Sequence, residues 1–233
     1  MHYLSVVLMR KLLFLFLLLK LINLQGQGPL PVHEEPHHQP VFQNKEIRIL
    51  NVLIAPGDTT QYHIHHTPSV FINFTSTLTG SQLQGGKASN GKSTPGRILF
   101  ENLAPPNIRT HRVWNDDRDT FHVIDVELLY KNSGFSQKPL TLPDLKLEVD
   151  TAWVRAYRLT LLKGRDFELG NQKQSYILVS LNSAVVHTKQ SGKAQDQILK
   201  PGSFMAIERG HKFSLKNNSD NTVQLVLLEI PVQ

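Results

Sequence analysis

Ile47-Arg48-Ile49-Leu50-Asn51-Val52-Leu53-Ile54-Ala55-Pro56-Gly57 returns, without a gap, as Val154-Arg155-Ala156-Tyr157-Arg158-Leu159-Thr160-Leu161-Leu162-Lys163-Gly164. Both runs are rich in branched and aromatic residues and stop at a glycine, as a strand does when it enters a turn. The closing runs match too, with Phe121 to Leu128 set against Val223 to Ile230. Two units of about 90 residues that share opening and closing strands imply a duplication. Between them lie further short β-patterned runs such as Val70-Phe71-Ile72-Asn73-Phe74, bounded by Pro, Gly, Asn or Asp. Beyond the N-terminal segment nothing sustains apolar spacing at i, i+3, i+4 and i+7, so long helices are not expected. The fold class is all-β, built as barrels or sandwiches.

Working outward, Leu12 to Leu19 is an unbroken apolar run preceded by Arg10 and Lys11 and followed by polar Gln25 to Gly28. That order is the order of a secretory leader, expected over residues 1–26. Arg10, Lys11 and Lys20 interrupt the window that a membrane span would need, so no membrane association is expected once the leader is removed. The expected location is periplasmic or secreted. Residues 27–40 hold four prolines and read as an extended arm, in which His33, His37 and His38 are taken as solvated side chains. The first unit then covers 41–130, a Gly-, Ser- and Pro-containing linker 131–143, and the second unit 144–233.

Composition narrows the function classes. Of 233 residues, 40% are hydrophobic and 19% charged, a globular balance. Loss of the three cations of the leader takes the formal charge from +6 to +3, with no clustered basic stripe, so no nucleic-acid partner is expected. The absence of cysteine excludes disulfides and thiol chemistry.

The chemistry sits in the first unit. Pro56-Gly57-Asp58-Thr59-Thr60-Gln61-Tyr62-His63-Ile64-His65 places two histidines two apart on a strand, so that both rings project from one face. A third imidazole from Thr110-His111-Arg112-Val113-Trp114-Asn115 would complete a facial set, leaving positions open to water or substrate. Gly57, His63 and His65 match the spacing of the first cupin motif, and His111 and Asn115 match the end of the second. The chain thus resembles the cupin superfamily, and the resemblance implies two cupin-type jelly-roll (double-stranded β-helix) barrels in tandem. It also implies a divalent metal ion (Fe, Zn, Mn or Ni) on His63, His65 and His111, with Gln61 and Asn115 as supporting or substrate-contacting residues. The motif's glutamate is missing: Ser69 or Val70 stands in its place. His66, Asp125 and Glu127 are weaker candidates for a further ligand.

In the second unit, the ungapped alignment sets Gly170 against His63 and Gln172 against His65, and only His211 falls near the place of His111. This barrel reads as structural. Gly86-Lys87-Ala88-Ser89-Asn90-Gly91-Lys92-Ser93 satisfies a phosphate-loop pattern, but Pro95 and Gly96 follow at once and no helix is signalled, so no nucleotide partner is expected. The segment reads instead as a hairpin at the barrel mouth. Two functions remain open at this level: a metal-dependent enzyme (dioxygenase, isomerase or hydrolase) acting on a small organic molecule, and a non-enzymatic small-molecule or sugar binder. A homodimer through exposed strand edges is a reasonable assembly.

Overall fold

The computed structural model describes residues 28–132 and 134–232; the expected leader lies outside them. The first half contributes β1 (Leu30–Pro31), β2 (His38–Gln43), β3 (Ile47–Ile54), β4 (His63–His65), β5 (Ser69–Asn73), β6 (Leu78–Leu83), β7 (Ala88–Lys92), β8 (Ile98–Glu101), β9 (Arg109–Asn115) and β10 (Phe121–Leu128). The second half contributes β11 (Leu145–Asp150), β12 (Arg155–Leu161), β13 (Asp166–Leu169), β14 (Ser175–Ser180), β15 (Ala184–Gln190), β16 (Lys193–Leu199), β17 (Phe204–Ile207), β18 (Phe213–Asn217) and β19 (Val223–Ile230). The one helical turn among the described residues is a 3-10 turn at Val32–Glu34. No described helix is long and apolar enough to cross a membrane.

The strands form four sheets. In the first half the orders are β1-β4-β9-β6-β7 and β2-β3-β10-β5-β8; in the second they are β11-β12-β19-β14-β17 and β13-β18-β15-β16. Each half is a jelly-roll barrel. The repeated opening and closing strands are hydrogen-bonded neighbours in both, β3 with β10 and β12 with β19.

Period-2 alternation explains how the barrels meet. On β3, Leu50, Val52 and Ile54 point into the first barrel with Val123, while Ile47 and Ile49 point out with Val70, Ile72, Ile124, Val126 and Leu128. That outer layer is continuous with Val154, Ala156, Ile177, Val179, Val226, Leu228 and Ile230 of the second half. Strands β10 and β19 are therefore buried on both faces over most of their length. The barrels share one apolar layer, and the second encloses its own core of Leu, Phe, Tyr and Val side chains.

Duplication extends to single hydrogen bonds. The Asn115 amide donates to the carbonyls of Ile54 and Asp119, and its Oδ1 accepts from Asp117 N–H. Asn217 does the same with Leu161, Asn221 and Ser219. The main chain repeats as well, Gly57 N–H to Asn115 O in one barrel and Gly164 N–H to Asn217 O in the other. Both Gly57 and Gly164 sit at positive φ, 75° and 73°, a turn conformation that a side chain would strain. Asn115 is thus fully buried and consumed by backbone bonds. This corrects its expected role as a substrate contact: it ties the loop after β9 to the end of β3.

We predict that Asn115→Ala and Asn217→Ala each cost about 2–4 kcal/mol, because each strands backbone groups in a buried position. Chemical denaturation measures this. Two silent substitutions would show that the repeated bonds are not needed.

Candidate metal site in the first barrel

Strand β4 is short because Gly57 to Tyr62 leads into it through a turn and β5 follows three residues later. His63 and His65 are buried while Ile64 between them is only partly covered, so both rings enter the barrel. Strand β9 pairs with β4 in the register His63↔His111. The ring centroids of His63 and His111 are 4.6 Å apart, those of His65 and His111 5.1 Å, and those of His63 and His65 5.1 Å. The three imidazoles read from the sequence converge in the interior.

A fourth ring joins them. His38 begins β2, pairs with Val52 on the inward face of β3, and lies 4.4 Å from the His63 ring. One ring nitrogen from each of His38, His63 and His65 falls within 4.8 Å of the others, an arrangement that could hold a metal ion; His111, expected as the third ligand, is not part of this closest group, though its ring borders those of His63 and His65. The sequence expectation of a solvated arm therefore gives way at His38. Residues 38–43 form an edge strand, where Pro40 needs no N–H partner. The signal that would have found His38 is the hairpin itself: Asn44 caps the turn with its Oδ1 accepting from Glu46 and Ile47 N–H, which extends the sheet back to residue 38.

Hydrogen bonds on the far side of two rings fix which nitrogen faces the centre. His63 Nδ1 lies 2.9 Å from the Gln61 carbonyl, which can only accept, so Nδ1 carries the proton and Nε2 keeps its lone pair. His38 Nδ1 lies 2.7 Å from Glu35 Oε2. Glu35 is wholly buried beneath the site and also accepts from His37 Nδ1 and N–H and from Gln61 N–H. Burial alone would raise its carboxyl, but bonds from His38, His37 and Gln61 outweigh it and bring the pKa down to about 2. Glu35 is thus an ionised acceptor that orients His38, a residue the sequence reading passed over. Gln61 supports the site through its main chain only, since its side chain is exposed.

The centre is buried and short of protein partners. His63 Nε2, His65 Nδ1, His111 Nε2 and both Asp125 oxygens are buried without a hydrogen bond. Burial first, and then the neighbouring imidazoles, push His63 down to about 4 and His111 to about 3; the same causes hold His65 well below its ordinary 6.5. All three are neutral at pH 7, the form that can ligate a cation. Unpartnered buried polar groups cost roughly 1–3 kcal/mol each. Several in one place are the mark of a site whose ligand supplies the missing bonds.

Other candidates fall away. His66 is exposed. Glu127 is held by Arg48 at 2.8 Å and by Thr67 at 2.9 Å, so it is a structural ion pair rather than a ligand; the same pair recurs as Arg155 and Glu229, 3.6 Å apart, in the second barrel. Asp125 lies behind His65, 3.7 Å from Nδ1, too far for a hydrogen bond, with burial raising its carboxyl well above the usual range. Gly86 to Ser93 is the turn and second strand of the β6–β7 hairpin, followed by no helix, so the phosphate-loop pattern has no helix N-terminus to work with.

A cavity of about 440 Å³ opens from the imidazoles. Val52, Phe71, Leu99 and Phe121 form apolar walls, the β6–β7 hairpin covers one side, and Arg97, Glu101 and Arg109 provide the charged groups.

In the second barrel this arrangement is replaced by hydrocarbon. Strand β13 pairs with β18 in the register Leu169↔Phe213, and Asn217, four residues after Phe213, matches Asn115, four after His111. Leu169 and Phe213 therefore stand where His63 and His111 stand. The ungapped alignment misses this by one residue, because five positions separate Gly164 from Leu169 where six separate Gly57 from His63. His211 is not the counterpart of His111; it sits at the barrel mouth against Ser191 Oγ, 2.7 Å away. Leu145, paired with Leu159, takes the place of His38, and Leu227 that of Asp125.

No protein-family profile and no curated protein sequence matches the chain. Solved structures do. AerE from Microcystis aeruginosa superposes with a TM-score of 0.57 at 14% identity, over 84% of this chain and 98% of that one. A cupin 2 conserved barrel domain protein from Leptotrichia buccalis gives 0.54 at 11% identity, over 90% and 94%. A salicylate 1,2-dioxygenase from Pseudaminobacter salicylatoxidans gives 0.58 at 11% identity, over 84% and 77%. With two jelly-roll barrels that share their opening and closing strand pairs and the hydrogen bonds of Asn115 and Asn217, the chain has the tandem-barrel fold of cupin structures.

Proposed function

We propose that the first barrel binds a divalent metal ion through His38, His63, His65 and His111 and acts on a small organic molecule held in the adjoining cavity. The observation that carries the reading is the convergence of one ring nitrogen each from His38, His63 and His65 within 4.8 Å of one another, with His63 Nε2 and His111 Nε2 buried and without a hydrogen-bond partner. A divalent ion there would act as a Lewis acid towards a bound oxygen atom. The chain's own part is to keep His63, His65 and His111 neutral, to orient His63 through Gln61 O and His38 through Glu35, and to exclude water with the walls of Val52, Phe71 and Phe121. His38 takes the role of the glutamate that the sequence lacks at Ser69. All-nitrogen ligation suits iron, zinc, manganese or nickel alike. The second barrel buttresses the first through the shared apolar layer. The run Arg10 to Leu19 supports export as the setting of this activity.

Purified protein loaded with zinc or iron is expected to hold one ion per chain by elemental analysis, and His63→Ala or His111→Ala to lose it. Glu35→Gln should weaken the ion about 10–100-fold by releasing His38, as outer hydrogen-bond partners of metal ligands do. Chelation should lower the melting temperature of the wild type and leave His63→Ala unmoved. A wild type that takes up no ion from either solution sinks the reading. Oxygen uptake and turnover across a substrate panel, with His63→Ala as control, separate an enzyme from a binder.

A pH dependence follows for the chelated protein. The unfolded chain binds protons on its histidines near 6.5, whereas the folded chain resists them until about pH 4 at His63 and about pH 3 at His111, so stability falls as pH drops through that window. The paired variant His63→Phe with His111→Phe should flatten the slope between pH 6.5 and 4. An unchanged slope would mean that these rings titrate normally.

A further inference from the structure

Among the described residues of the first barrel, Asp125 is the buried acid that no hydrogen bond satisfies. Glu35 is held by His37, His38 and Gln61 N–H, Glu46 by Arg209, and Glu127 by Arg48 and Thr67. Both Asp125 oxygens are buried without a partner. Ser69 lies close enough to favour the ionised carboxyl, but its hydroxyl is turned to the Thr67 carbonyl at 3.4 Å. Leaving such a group unsatisfied is costly, and the fold does not require it. The matching position on β19 is Leu227, packed in the core of the second barrel. Facing the carboxyl, His65 Nδ1 is also buried and unpartnered, 3.7 Å from Oδ2. Two neighbouring rings show what is missing: His63 Nδ1 meets the Gln61 carbonyl at 2.9 Å, and His38 Nδ1 meets Glu35 Oε2 at 2.7 Å. Behind His65 an acceptor is in place, but the bond is not made.

We infer that Asp125 is the positioning residue of His65, its carboxyl oxygen accepting the Nδ1 proton when a metal ion occupies the other ring nitrogen. The inference rests on the proposed metal site. A ring that gives its Nε2 lone pair to an ion must carry its proton on Nδ1, and ligating histidines pass that proton to a carboxyl or carbonyl oxygen that fixes the ring's orientation. At 3.7 Å this bond is still open, so ion binding is what closes it. The Arg48 guanidinium, which could otherwise satisfy Asp125, is committed to Glu127 at 2.8 Å. His65 is therefore the partner that remains. Glu35, Gln61 O and Asp125 together form an outer ring of acceptors behind His38, His63 and His65, and uptake of the ion relieves the one acid that the protein alone leaves unsatisfied.

Asp125→Leu, which copies the second barrel, should move two quantities in opposite directions. In chelator-competition titrations it should bind zinc about 10–100-fold more weakly than the wild type. The same variant kept in EDTA should melt at a higher temperature than the wild type in EDTA, because the orphaned carboxyl is gone. A residue that served packing alone would instead lower the melting temperature and leave zinc affinity unmoved. Asp125→Asn, whose amide oxygen still accepts, should recover most of the affinity. In nitrogen-15 NMR of the zinc-loaded wild type, which needs no variant, the His65 Nδ1 proton should be protected from solvent exchange. Unchanged zinc affinity in Asp125→Leu, a lower melting temperature of that variant in EDTA, or a freely exchanging His65 Nδ1 proton overturns the inference and leaves the metal site standing. A wild type that binds no zinc overturns the metal reading and this inference with it.

Discussion

Everything about this site depends on gathering four imidazoles inside an apolar barrel, correctly turned, with His63, His65 and His111 held neutral. Water would do neither. A solvated histidine titrates near 6.5 and rotates freely, whereas here burial depresses His63, His65 and His111, and acceptors behind His63 and His38 fix their tautomers. The arrangement is costly to an empty protein, since unpartnered ring nitrogens and a buried carboxyl sit where leucines would pack well. Chains rarely keep such a cost without a ligand that offsets it.

The second barrel shows what the same fold does without that constraint. From a common strand plan, Leu145, Leu169, Phe213 and Leu227 occupy the positions of His38, His63, His111 and Asp125, and each full burial of such a side chain contributes roughly 1.5–3 kcal/mol. The two halves are one scaffold with two fillings. One stabilises, and it shares the apolar layer of Ile47, Ile124, Val179 and Val226 that steadies the sheet carrying His38. The other leaves room for chemistry.

Much of this was legible in the sequence, and the exceptions are instructive. The repeat of Ile47–Gly57 at Val154–Gly164 announced two barrels, and the alternation of His63 and His65 placed both rings inward, because period 2 is a local property. His111 followed from a spacing. His38 did not: its proline-rich surroundings read as an arm, and only the pairing of β2 with β3, a tertiary fact, turns the ring inward. Glu35 was invisible for the same reason. Asn115 was legible as a motif residue, but which of its supporting or substrate-contacting roles it plays was not, since a buried amide that binds backbone looks like any polar residue until its partners are seen. The one-residue deletion before Leu169 misled the ungapped alignment, because a loop can lose a residue while the strands keep their register.

The most direct test of the central claim is anomalous diffraction from crystals of the zinc-loaded protein, recorded on both sides of the zinc edge. The account predicts a single strong peak in the first barrel, about 2.0–2.1 Å from a ring nitrogen of each of His38, His63, His65 and His111. A peak elsewhere on the chain, or none in a barrel whose rings keep their present positions, would contradict it.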